Sequence, residues 1–206
     1  MIENKILPES VVIEPKILYY GTPVVLLSTL NEDGTTNVTP MSSSWALGRR
    51  IVLGLGVEGK AVENLNRCGE CVVNVADPSL WHQVETLAPF TGRREVPDEK
   101  RKLGYRHEKN KFAAAGLTEQ QSREVQPDRV AECPLQIEAV VKHIRIPDDM
   151  PFFAVIEVDA VCVHAHQDIV TEKDHVSPEK WSPLIYNFRH YFGLGPELGK
   201  SFKSET

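Results

Sequence analysis

The chain has 206 residues, 41% of them hydrophobic and 25% charged, with a formal net charge of −6 at pH 7. That is enough apolar material for one sizeable core, and the acidic balance argues against a general nucleic-acid binder. No apolar run approaches the ~20 residues of a membrane span, and MIENKILPES has acidic and polar residues where a secretory leader carries a basic head and an apolar stretch, so a cytoplasmic protein is expected.

In chain order, Thr22 to Leu30 is β-branched and apolar, Asn31 to Thr35 (NEDGT) supplies reversal residues, and Thr36 to Pro40 returns extended; the pair predicts a hairpin. A polar cluster, Pro40 to Gly48 (PMSSSWALG), precedes a short apolar strand over Arg50 to Gly56, and Gly59 to Leu65 (GKAVENL) opens a helix. Glu70 to Ala76 is again strand-like, and Pro78 to Leu87 reads as a short helix capped by Asp77 with Pro78 at its first position. From Thr91 to Lys111 the chain turns polar and basic, a connection long enough for a lid, a partner arm or a mobile loop. Pro134 to Arg145 and Phe152 to His166 are strands joined by a PDDMP turn, and the aromatic segment Trp181 to Lys200 is expected to pack back over the body. No linker or repeat divides the chain, so residues 1–206 are expected to form one domain: a mainly β, closed antiparallel barrel of six or seven strands with short helices.

Several clusters invite chemistry. Gly54 to Gly59 (GLGVEG) spells a dinucleotide fingerprint, but a hairpin precedes it, Cys68 and Gly69 cut the helix short, and no βαβ units follow to build a parallel sheet. A more modest property survives. A helix opening on Gly59 and Lys60 offers free N–H groups and an ammonium to a phosphate, with Asn64 one turn on as an amide donor; a solvated lysine at a plain helix start is the other reading. Ser42, Ser43 and Ser44 sit in no nucleophile elbow and are better suited to donate hydrogen bonds to a flavin ring edge, with Trp45 covering the ring, unless they form only a polar loop beside a core tryptophan.

Cys68 and Cys71 form a CxxC, yet Cys68 ends a helix rather than starting one, and Cys133 and Cys162 supply no matching pair, so free thiols are expected. His164 and His166 share a strand face at ligand spacing, but two ligands are not three and no HExxH or nearby carboxylate completes the set, so ordinary sheet-surface or interface histidines and no metal are expected. The basic stretch from Arg93 to Lys111 suits a phosphorylated nicotinamide nucleotide or a solvated loop, with Lys111 and Phe112 as a lid contact.

The run TPVVLLSTLNEDGTTNVTPMSSSWALG, the strand and GKAVENL after it, and the later KFAAAGLT and VAECPLQIEAVV resemble the flavin reductase-like family of FMN-binding split barrels, from about Tyr20 to Lys200. The resemblance implies a six-stranded antiparallel Greek-key split barrel and a homodimer with an FMN in each of two interfacial clefts. It further implies that Thr39, Pro40, Met41, Ser42, Ser43, Ser44 and Trp45 line the isoalloxazine, that Gly56 approaches the cofactor, and that Gly59, Lys60 and Asn64 hold the phosphate. Relatives often carry threonine where this chain has Ala61, which leaves more of the phosphate to Lys60 and Asn64.

The activity so implied is NAD(P)H-dependent flavin reduction by hydride transfer to flavin N5, with NADH or NADPH as donor and no catalytic side chain required. Reduced flavin would then pass to an oxygenase component. The competing reading is a flavin-binding electron carrier that does not oxidise nicotinamides.

Overall fold

The computed structural model describes residues 7–172 and 174–202. The first six residues of the opening decapeptide and the ends of the 1–206 span lie outside the described residues.

Seven strands form the main sheet: β1 Val25–Leu30, β2 Thr36–Met41, β3 Ser44–Leu47, β4 Arg50–Gly56, β5 Glu70–Val75, β6 Leu135–Arg145 and β7 Phe153–Ala165. They lie in the order β2-β1-β5-β6-β7-β4-β3, with every pairing antiparallel. The NEDGT turn closes the β1–β2 hairpin through Asn31 N–H to Thr35 O at 2.8 Å. The seventh strand is β3, within the stretch read from sequence as a polar loop; Trp45 and Ala46 pair with Val52 and Ile51 across a tight turn.

The connection between the two sheet edges dictates the overall shape. Laid flat, seven strands would put β2 and β3 roughly 29 Å apart, at about 4.8 Å per spacing. Only Ser42 and Ser43 separate Met41 from Ser44, a span of at most about 11 Å. The sheet must therefore curl until its edges come together at Ser42 and Ser43; the Gly54 N–H donates to Ser43 O at 2.8 Å, extending the β3–β4 ladder one step into that link. Glycine eases the close approach there, since a Cβ on residue 54 would sit a tight 3.1 Å from the Ser43 Cβ.

Alternation along the strands builds two cores. Val25 and Leu27 of β1, Leu53 of β4, Val73 of β5 and Ile156 of β7 fill the curl, and the helix α1, Lys60–Cys68, plugs it with Ala61, Val62 and Leu65. The helix stops at Gly69, whose φ of 73° lets its N–H return to Leu65 O. Leu26 and Val38 face the other way, onto Val84 and Leu87 of α2 (Trp81–Leu87) and Phe112 and Ala115 of a short helix, Lys111–Ala115. Asp77 caps the turn before α2, accepting from Ser79 N–H at 2.8 Å, with Pro78 at the first position as expected.

Polar ties hold the segment from Thr118 to Cys133 against the outer face of the sheet. Asn74 accepts from Val130 N–H, Gln136 donates to the Val130 and Cys133 carbonyls, and Glu70 and Glu138 accept backbone N–H groups from Arg123 to Gln126. The C-terminal aromatic segment folds back as a hairpin of Ile185–Asn187 and His190–Phe192 that pairs with Tyr20–Pro23. Its two-residue turn, Phe188 and Arg189, takes φ of 45° and 68°, the pattern of the primed turns that match strand twist.

Candidate functional site

A cavity of about 700 Å³ opens where β2 meets β4 beside the start of α1. Its floor is the strand end Thr39, Pro40 and Met41 with Ser42 and Ser43, facing Gly54 to Gly56. The length and burial of these strands come from the core beneath them, so the floor is rigid backbone rather than loop.

One wall is basic. Gly59 caps α1 in an extended conformation with no side-chain cap, so the first N–H groups of the helix have no side-chain acceptor. Lys60 lines the cavity with its side chain only 10% exposed. Its ammonium meets both oxygens of Glu32 at 2.7 and 2.8 Å and Glu63 at 2.5 Å. Burial pulls the Lys60 pKa down, but these two carboxylates outweigh it and leave the pKa raised, while hydrogen bonding to Lys60 holds the Glu32 carboxyl at about 2. Lys100 reaches the same end of the cavity, donating to the Glu58 carbonyl at 3.2 Å.

Lys111 is different. It is 2% exposed, and its ammonium donates to the Val38 carbonyl at 3.0 Å. Burial first, and the neighbouring Lys100 charge second, push its pKa down to about 8. An ammonium so buried, with no carboxylate bonded to it among the described residues, marks a place where a negative charge is wanted.

The opposite character comes from tyrosines. Tyr19 meets Tyr186 edge-on at 5.4 Å, Tyr186 meets Tyr191 at 5.5 Å, and the Ser43 hydroxyl donates to the Tyr19 oxygen at 3.2 Å. Tyr191 donates to Glu85 at 3.0 Å, and burial and that carboxylate both raise its pKa. Arg189, from the tight turn of the C-terminal hairpin, completes this wall.

Of the residues singled out from sequence, Thr39, Pro40, Met41, Ser42, Ser43, Gly56, Gly59 and Lys60 come together at this cavity. Ser44, Trp45 and Asn64 do not. Ser44 and Trp45 are strand residues on the edge beyond the cavity, and Trp45 is 59% exposed. Asn64 is fully buried on the far side of α1, where its amide donates to Thr29 and Asn31, because it lies a turn past the helix start and so under the β1–β2 hairpin.

The basic connection is largely exposed, as a solvated stretch would be, but it is partly ordered. It holds a short helix, Asp98–Lys102, and sends Arg93 to Glu63 and Lys109 to Asp33. Lys111 and Phe112, expected as a lid, are both buried, with Phe112 in the outer core. The burial of Lys111 has no signature in its sequence neighbourhood, because a lysine in a basic run normally faces water.

The remaining sequence clusters resolve simply. All four cysteines are free; Cys71 is fully buried, and burial lifts its thiol to about 12. After Gly54 to Gly59 the described residues build no larger parallel sheet; the one parallel pair, Phe90–Thr91 with Arg106–His107 on either side of the short helix Asp98–Lys102, is two residues long and stands apart from the main sheet. The expectation that no carboxylate joins His164 needs correction, since Glu138, on the neighbouring strand, lies 2.6 Å from its Nε2. His166 instead contacts the Ala131 carbonyl.

The family model for a flavin reductase like domain matches residues 17–195. The chain belongs to the flavin reductase-like family. A relative from Bacillus subtilis (strain 168), recorded as uncharacterized protein YdfE, is 56% identical over 194 residues, covering 94% of each chain. Flavoredoxin of Desulfovibrio vulgaris (Miyazaki F) superposes with a TM-score of 0.78 at 18% identity over 96% of this chain and 100% of its own. Nitrilotriacetate monooxygenase component B from Bacillus cereus superposes with a TM-score of 0.71 at 19% identity over 90% and 89%. This flavin reductase-like chain thus has the mainly β split-barrel fold of its structural neighbours, and its cavity lies where the barrel edges meet. Among the described residues no helix is long and apolar enough to cross a membrane.

Proposed function

We propose that this protein is an FMN-binding NAD(P)H:flavin oxidoreductase. The observation that carries the reading is the buried Lys111 ammonium, without a carboxylate partner, in one cavity with the uncapped start of α1 and a tyrosine wall. Such a site suits a ligand that is aromatic at one end and anionic at the other, and the cavity falls within the roughly 300–1,000 Å³ usual for cofactor-sized ligands. The donor set fits a flavin phosphate.

The start of α1 at Gly59, with Lys60 and Lys111, would hold the phosphate through N–H groups, the helix dipole and two ammonium groups. Backbone and hydroxyl groups from Thr39 to Ser43 would orient the ring edge, and the absence of a side chain at Gly56 would let the ring lie close to the end of β4. The chemistry supplied by a bound flavin is acceptance of hydride at N5 from a reduced nicotinamide. The chain's own contribution is orientation of the rings and exclusion of water by Tyr19, Tyr186 and Tyr191, and no side chain needs to move a proton.

The exposed apolar pair Trp45 and Leu47 on the edge strand supports a homodimer, which light scattering tests. Reduced flavin handed to an oxygenase component is the downstream role suggested by the likeness to nitrilotriacetate monooxygenase component B. The cytoplasm is the compartment that fits a free-thiol, nicotinamide-using protein. The likeness to a flavoredoxin supports a second reading, an electron carrier that binds FMN but leaves NADH and NADPH untouched. Comparing FMN and riboflavin affinities of wild type and Lys111→Ala tests the site: a loss for FMN at least ~10-fold greater than for riboflavin is expected, and equal losses would refute the phosphate assignment.

A further inference from the structure

Glu138, Cys162 and His164 lie away from the cavity lining, and the flavin reading makes no use of them. A β-bulge brings them together. Ile156 and Val158 of β7 point into the barrel, and strict alternation would send Cys162 and His164 the same way. Ala160 pairs with Ala139 but Cys162 pairs with Glu138, so Val161 is extra, the parity reverses, and both side chains turn to the outer face beside Glu138.

Three donor atoms of different chemistry converge there. His164 Nε2 is 2.6 Å from Glu138 Oε1 and 3.4 Å from Cys162 Sγ, and all three atoms lie within 4.8 Å of one another. Both contacts use the same ring nitrogen. A relay that activated the thiol would need one nitrogen for sulfur and the other for the carboxylate. Convergence on one point is instead the arrangement of a ligand set.

We propose that Glu138, Cys162 and His164 form a site for a borderline-soft divalent cation of the zinc class, on the outer face of the barrel. A carboxylate, a thiolate and a neutral imidazole balance a charge of +2, and this mixture of donors suits zinc better than magnesium or calcium. Glu138 is fully buried and held independently of His164: Oε1 accepts from Arg123 N–H at 2.8 Å, and Oε2 from Glu124 and Val125 N–H at 2.6 and 3.1 Å. Replacing the histidine proton by a metal therefore leaves the carboxylate in place. Tetrahedral zinc, with legs of about 2.0–2.3 Å, sets its donors about 3.3–3.6 Å apart, so the His164–Cys162 separation already fits and the His164–Glu138 pair must open by roughly 0.7 Å. The imidazole side chain is 24% exposed, which leaves the fourth position to water. On binding to the neutral imidazole, the ring proton moves to Nδ1, the Cys162 thiol releases its proton to solvent, and no electrons are transferred.

The test uses reduced, chelator-treated full-length protein and Co²⁺ as the probe, and is independent of flavin binding. One equivalent of Co²⁺ is expected to give a thiolate-to-cobalt charge-transfer band with intense visible d–d bands, abolished by Cys162→Ser and retained by Cys68→Ser. Competition with Zn²⁺ should show Cys162→Ser and His164→Gln weakened at least ~100-fold, since removing even an outer-shell partner costs about 10–100-fold. Circular dichroism establishes that each variant is folded. The exposed group Glu172, Asp174 and His175 offers only oxygen and nitrogen donors and cannot produce the thiolate band. No such band in wild type, a band that survives Cys162→Ser, or one lost with Cys68→Ser would overturn the proposal.

Discussion

The Lys111 ammonium is bonded to the Val38 carbonyl at 3.0 Å, tying the end of the basic connection to the outer side of β2. This contact fixes a positive charge beneath the cavity at the cost of desolvating it. In the folded chain the Lys111 pKa lies near 8, against 10.5 for an ordinary lysine. Above 10.5 neither state is protonated and burial carries no charge penalty; as pH falls the unfolded chain takes up the proton first, and the penalty is complete below about 8. Ligand-free stability should therefore rise between pH 8 and 10.5, by at most about 3 kcal/mol from this group. Lys111→Met should remove that rise, measured as the difference between the two denaturation curves across this range. A bound phosphate, by raising the folded-state pKa toward 10.5, should shrink this rise from its low-pH side.

Lys60 is shared between Glu32 and Glu63, so a phosphate arriving at the start of α1 competes with the protein's own carboxylates. Glu32→Gln should tighten FMN by roughly 3–10-fold and leave riboflavin within twofold, about 1 kcal/mol for one partly exposed pair. Lys60→Ala should do the reverse. Isothermal titration with the two ligands reads both.

Asn64 lies outside the cavity, with its amide between Thr29 and Asn31. Asn64→Leu should cost about 1–3 kcal/mol in urea denaturation by leaving the Asn31 Oδ1 acceptor unsatisfied, while Thr29 Oγ1 keeps its bond from Asn37. The ratio of FMN to riboflavin affinity should not change, because the residue does not reach the ligand.

Arg93, Arg94 and Arg101 share an open cleft with Glu95 and Asp98 next to the basic wall, with Arg93 paired to Glu63 and Arg101 to Asp98. If this cleft takes the nucleotide phosphate of NADPH, Arg94→Ala should raise the KM for NADPH about 10-fold and spare NADH. Steady-state kinetics with both donors checks it.

Much of this was legible in the sequence because it is local. The β1–β2 hairpin follows from apolar alternation and NEDGT, and the start of α1 follows from Gly59 and the amphipathic spacing of Ala61, Val62 and Leu65. Most of what escaped depends on long-range contacts. Ser44 to Leu47 are the exception: they pair locally with Arg50 to Leu53 across Gly48 and Arg49, a hairpin hidden by the serine run before it, and that strand carries Trp45 past the cavity. The helical position of Asn64 was readable, but not the hairpin stacked on it. Lys111 reads as one more solvated cation until α2 and β2 enclose it. Glu138 is brought to His164 by strand pairing and a bulge that no spacing rule reveals.

The most direct test of the central claim is an absorbance spectrum of the protein loaded with FMN, followed by anaerobic addition of NADH and then NADPH. The account predicts yellow protein that bleaches with at least one nucleotide. Protein that takes up no FMN would contradict the flavin site, and yellow protein that stays oxidised with both would contradict the reductase and leave the electron carrier.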